Sequence, residues 1–154
     1  MNREFEDIIE KEFKFLKIEN RPLKLFVSEK LFIPNKTTQT IAEAVEVYAD
    51  ETGIELGAGT GPLTVLIASK PIAHLYSVER VKEQYDLAKK NVEKYNLSNK
   101  VTLYEGNIFD PIKENHVGGF FASFKPTTEP RRRNSSWVQF EAIKSSRNVS
   151  KTRV

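Results

Sequence analysis

The stretch Gly53-Ile54-Glu55-Leu56-Gly57-Ala58-Gly59-Thr60-Gly61-Pro62-Leu63 leaves this chain few folds to choose from. It predicts a short buried strand, a glycine turn and the opening of an apolar helix, Leu63-Thr64-Val65-Leu66-Ile67-Ala68. Glycines at the alternate positions 57, 59 and 61 allow positive φ and admit a ligand where any Cβ would collide. Pro62 suits a first helical position, where no N–H partner is needed. The helix beyond it would turn unpaired N–H groups and its positive dipole end toward whatever lies over the loop. Such a junction is either a cofactor cradle or a plain strand–turn–helix corner that binds nothing.

The spacing narrows the cofactor. A dinucleotide fingerprint has its third glycine at the sixth position, for close helix–strand packing. Counted from Gly57, that position is Pro62, and the third glycine comes one residue early at Gly61. This disfavours a nicotinamide-dependent oxidoreductase. No Gly-Lys-Ser/Thr follows, which excludes a P-loop.

The flanking sequence predicts strands alternating with helices, hence an α/β parallel sheet with right-handed crossovers. Ala73 to Val78 reads as a second strand with Glu79 at its end, and Val101 to Tyr104 as a third. Between them Val81, Tyr85, Ala88, Val92 and Tyr95 stripe a helix whose other faces are Lys, Glu and Asn. Glu79 follows Gly61 by 18 residues, at the place where doubly wound folds set an acid against ribose hydroxyls. The two oxygens of a carboxylate can accept from both hydroxyls. Asn107 and Ile108 follow the third strand, level with the other two turns; an amide there can pair with an adenine edge while Ile108 packs on its face. Taken alone, these residues read better as an ordinary Gly-Asn turn with Ile108 and Phe109 tucked into the core.

Upstream, Phe5, Ile8, Ile9, Phe13 and Leu16 fall at helical spacing, which predicts an amphipathic helix over 4–17. Leu23 to Val27 alternates like a half-buried strand, and Leu31-Phe32-Ile33-Pro34 resumes it. Thr37 or Thr38 is expected to cap a helix carrying Ile41, Ala42, Ala44, Val45 and Tyr48. The opening Met1 to Asp7 is acidic and lacks the apolar core of a secretory leader, and no apolar run is long enough to span a bilayer. A cytoplasmic chain with no membrane partner is expected. Without cysteine, and with His74 and His116 as its two histidines, the sequence offers no support for a zinc site, a thiol nucleophile or a nucleophilic triad. His74 lies in an apolar strand and reads as a packed residue.

Charge divides the chain. Residues 1–115 carry 16 Lys/Arg against 19 Asp/Glu, whereas 116–154 carry 8 against 2. Val117 to Phe124 predicts a fourth strand weakened by two glycines; from Lys125 onward the sequence reads as a basic, disordered tail. The triplet Arg131-Arg132-Arg133 is either a phosphate contact or, among Pro, Ser and Asn, a solvated loop.

Taken together, Glu55 to Gly61, Glu79 and Gly106-Asn107-Ile108-Phe109 resemble the class I S-adenosylmethionine (SAM) methyltransferases. Leu31-Phe32-Ile33-Pro34 ahead of the glycine loop is similar, more narrowly, to the HemK-type N-methyltransferases of glutamine side chains and related adenine- and RNA-modifying enzymes. The resemblance covers about residues 25–112. It implies SAM as cofactor, with the loop at its methionyl end, the second acid on the ribose and the third pair around the adenine. Its cofactor-binding residues would be Glu55, Gly57, Ala58, Gly59, Gly61, Glu79, Arg80, Asn107 and Ile108. The acceptor implied is a nitrogen of a protein or nucleic acid, with no metal.

Two positions depart from the family. Asn107 stands where many relatives have aspartate. Where HemK-type enzymes place Asn/Asp-Pro-Pro-aromatic after the fourth strand, this chain has Phe124-Lys125-Pro126-Thr127. No catalytic residue can therefore be named. The break near 115 is consistent with truncation, a changed reading frame or a replaced C-terminal half. The expected organisation is an N-terminal helix and extended segment (1–36), a Rossmann-like core incomplete at its C-terminal side (37–124), and the tail (125–154). The alternative function is a non-catalytic SAM-binding remnant whose tail contacts RNA.

Overall fold

The computed structural model describes residues 7–31, 33–49 and 51–107, together with the backbone of 119–122. The expected helix over 4–17 is instead a strand. β1 (Ile9–Ile18) pairs antiparallel with β2 (Arg21–Val27). Their connection is Glu19-Asn20, with φ of 48° and 67°, the doubly positive geometry of a type I′ hairpin turn. The helical spacing has a specific source. The pairing moves from Phe13 opposite Leu23 to Lys17 opposite Pro22, so residues 14–16 bulge out of the ladder. That bulge lets Phe13 and Leu16, three apart, both face inward. Pro22, which has no N–H to give a ladder, sits beside it.

After the hairpin, Leu31 N–H closes a turn on the Ser28 carbonyl, and Leu31, Ile33 and Pro34 belong to no strand. α1 (Lys36–Ala44) is capped two or three residues earlier than expected, by Asn35. Asn35 Oδ1 accepts from Thr37 N–H at 2.9 Å, while Thr38 Oγ1 accepts from Asn35 N–H at 3.4 Å. The helix stops before Val45, leaving Tyr48 outside it and exposed.

Then follow β3 (Thr52–Leu56), α2 (Pro62–Ala68), β4 (His74–Glu79), α3 (Lys82–Lys94), β5 (Val101–Glu105) and β6 (Gly119–Ala122). The four strands form a parallel sheet in the order β5-β4-β3-β6, an α/β Rossmann-like arrangement. Succession runs outward from β3 to β5 and then returns to the other side of β3. The order therefore reverses beside β3, and a doubly wound sheet has its ligand crevice at the carboxyl ends next to such a reversal. The glycine loop leaves β3 there.

One core joins hairpin and sheet. Phe13, Leu16, Leu23, Leu25 and Val27 pack with Ile41, Val65, Ile67, Leu75, Val92 and Val101. On the opposite sheet face a smaller cluster centres on Ile54 and Val78, with Leu56, Tyr76 and Tyr104 against it.

Candidate functional site

The loop after β3 is fastened to β4 by its own backbone. Gly57 and Ala58 N–H both donate to the Val78 carbonyl, at 2.8 and 3.0 Å, and Gly61 N–H donates to the Ala58 carbonyl at 3.0 Å. Positive φ is used at all three glycines: 73° at Gly57, 60° at Gly59 and 87° at Gly61. Gly61 has a further constraint. A Cβ there would stand 2.9 Å from Ala88 Cα, so the missing side chain lets α3 approach as well as shaping the turn. Pro62 opens α2 as expected. With only seven residues, α2 contributes a short dipole, so the loop's shape matters more than a helix field.

Glu79 ties the three turns together. Its Oε2 accepts from Gly59 N–H at 2.7 Å and its Oε1 from Val81 N–H at 2.9 Å, with the residue 2% exposed. Its carbonyl accepts from Gly106 N–H at 3.0 Å, just past the end of β5. The carboxyl ends of β3, β4 and β5 thus meet around one residue. Both oxygens of that carboxylate hold main-chain donors, one from the glycine loop and one from the residue that opens α3.

Glu55 lies fully buried within β3. Its Oε2 accepts from Thr64 Oγ at 2.6 Å and from Ser77 Oγ at 2.9 Å, while buried Oε1 has no hydrogen-bond partner. Burial raises its pKa to about 7, against the lowering effect of the two hydroxyls. Ala58 is buried in the loop and Arg80 is exposed beside Glu79. Asn107 is exposed one residue beyond Gly106, and Ile108 lies outside the described residues. His74 is half-buried, its Nε2 2.7 Å from Thr102 Oγ; burial lowers its pKa, in keeping with a packed residue. His116, the arginine triplet and the expected tail also lie outside the described residues.

Sequence reasoning missed Asn91. It sits outside the apolar stripe read for α3, among the Lys, Glu and Asn of the other faces, yet it is fully buried against the loop, its Nδ2 donating to the Thr60 carbonyl at 2.8 Å. Gln84, two turns earlier on the same face, is buried too. No signal in the sequence marked it, because the approach of Gly61 to Ala88 that brings α3 against the loop joins two different elements. Among the described residues no cluster of three or more His, Cys, Asp or Glu could hold a metal, and no helix is long and apolar enough to cross a membrane.

A parallel sheet that reverses beside a glycine loop, with an acid closing on that loop from the next strand, is the Rossmann-like α/β fold of class I methyltransferases. The C5,15-methylating precorrin-6y enzyme of Geobacter metallireducens superposes with a TM-score of 0.55 at 16% identity, over 64% of this chain and 52% of that one. Precorrin-8w decarboxylase of Methanobacterium thermoautotrophicum gives 0.54 at 21% identity, over 60% and 51%. In sequence the chain is similar to HemK-type enzymes, the release factor glutamine methyltransferases. That of Thermosynechococcus vestitus is 31% identical over 96 residues, 58% of this chain and 33% of the relative. The chain thus spans about a third of the length of the curated relatives it matches. No family model matches.

Proposed function

We propose that this chain binds SAM and transfers its methyl group to a nitrogen of a protein or nucleic-acid substrate. The supporting observation is the meeting of three strand ends at Glu79, whose carboxylate holds Gly59 N–H and whose carbonyl holds Gly106 N–H. In this reading the loop from Gly57 to Gly61, with Glu55 and Ala58, receives the methionyl end. Glu79 and Arg80 serve the ribose, and Asn107 with Ile108 the adenine. The residues fit such a ligand: an acid held against the loop, a loop already in positive φ, and an exposed amide one residue past β5.

SAM supplies an electrophilic methyl on its sulfonium, so the chain's own work is to bind and to orient. Glu79 does both. It accepts from the ligand and, by holding Gly59 N–H, keeps the loop open in the shape the ligand needs. The similarity to release factor glutamine methyltransferases favours an amide nitrogen of glutamine as acceptor.

A second reading is favoured by Phe124-Lys125-Pro126-Thr127 in place of the family's acceptor motif. It is a SAM-binding protein without transferase activity, its basic segment in contact with RNA. Incubation with tritiated SAM and cell extract separates the two: label in protein or RNA supports the enzyme, and binding without label supports the remnant. Thermal stabilisation by NAD in preference to S-adenosylhomocysteine would replace both with an oxidoreductase.

A further inference from the structure

The outer edge of β2 is completed by side chains, not by a strand. Lys24 N–H donates to Tyr95 Oη at 2.8 Å, and Tyr95 O–H donates to the Lys24 carbonyl at 3.0 Å. Two residues along, Phe26 N–H donates to Asn91 Oδ1 at 2.7 Å, and Asn91 Nδ2 donates to the Phe26 carbonyl at 3.0 Å. Residues i and i+4 of a helix share a face, as do i and i+2 of a strand, so Asn91 and Tyr95 match Phe26 and Lys24 in register. The second Nδ2 hydrogen of Asn91 goes to the Thr60 carbonyl at 2.8 Å. One planar, fully buried amide therefore bonds both the N-terminal hairpin and the glycine loop.

We propose that Asn91 is a positioning residue through which docking of the hairpin sets the conformation of the glycine loop, and with it the affinity for the methyl donor. The second clause rests on the SAM reading above. The first does not. The Thr60 carbonyl and Gly61 N–H are two ends of one rigid peptide group. Asn91 holds the first and the Ala58 carbonyl holds the second, so rotation of that peptide breaks both bonds. The Asn91 amide is equally rigid. A shift of Phe26 turns it, and the turn is delivered to Thr60.

The test uses Tyr95→Phe, which removes the hairpin's outer bonds without touching the loop, and Asn91→Asp, which removes both amide donors. Amide exchange at Lys24, Phe26 and Gly61 and calorimetric binding of S-adenosylhomocysteine are read in each variant and in the double variant. Tyr95→Phe is expected to speed exchange at Gly61 and to weaken binding about three- to tenfold. Asn91→Asp does so more strongly, and on that background Tyr95→Phe still frees Lys24 but changes Gly61 and binding no further. Unchanged Gly61 exchange in Tyr95→Phe overturns the proposal even if Asn91→Asp does not fold, and so do additive effects in the double variant. Failure of the unaltered chain to bind S-adenosylhomocysteine refutes the SAM reading instead, while Gly61 exchange still decides the coupling.

Discussion

Glu55 carries the least comfortable chemistry among the described residues. It is fully buried, two hydroxyls donate to one of its oxygens, and the other has no partner. Desolvation lifts its pKa from 4.5 to about 7. The folded chain therefore keeps this proton over a range where the unfolded chain gives it up. Its contribution to stability is whole below about pH 4.5 and is lost as pH rises through about 7. Glu55→Gln removes the titration. Urea denaturation between pH 4.5 and 8 should show the unaltered chain losing roughly 3 kcal/mol relative to that variant. A difference that stays constant with pH would contradict the assignment. Gly61 makes a separate prediction. A Cβ there meets Ala88 at 2.9 Å in a left-handed conformation, so Gly61→Ala should cost about 2–4 kcal/mol by chemical denaturation. The spacing of the three glycines was plain in the sequence; the neighbour that Gly61 makes room for was not, because it lies on another element.

The strands and first helix of the parallel sheet were the legible elements. β3, α2, β4 and β5 are short apolar runs bounded by glycine, proline or asparagine, and each lies where its pattern indicates. β6 falls within the expected 117–124. The hairpin was illegible for a physical reason: a bulge at 14–16 shifts the two-residue alternation, and the apolar positions then imitate a helical turn. Ile9 is exposed, which a helix with that apolar stripe facing the core would not have done with it. The turn gives this element its own prediction. Glu19 is an unfavourable residue at positive φ, and Asn-Gly is the preferred type I′ pair. Replacing Glu19 by Asn together with Asn20 by Gly should raise stability by about 1 kcal/mol, read from the denaturation midpoint, without altering the pairing of β1 with β2. On α3 the reading of the buried face was incomplete: Ala88 and Val92 are buried as expected, but Gln84, Leu87 and Asn91 join them.

At the scale of the whole molecule, hairpin and sheet share one core, so the expected N-terminal helix and extended segment give way to a ribbon packed on α1 and α3. Leu25, on β2, is fully buried in that core. Leu25→Ala should cost 2–5 kcal/mol, and amides of the hairpin and of β3 and β4 should lose exchange protection together. Loss confined to the hairpin would mean two independent units. The convergence of the three turns was legible, since Glu79 follows the glycine loop at the right distance. The bonds that close it, from Gly59 to the carboxylate and from Gly106 to the carbonyl, become visible only when the strands stand side by side.

The capping of β2 by Asn91 and Tyr95 has an evolutionary consequence. Its attachment is written in main-chain atoms on one partner and in two side chains on the other. The grip itself asks nothing of the side chains at 24 and 26, whereas it depends on the identity of both residues on the helix side. A ribbon of unrelated sequence but equal register could be grafted in its place, carrying new recognition chemistry to the rim of the crevice and leaving the helix that holds it untouched.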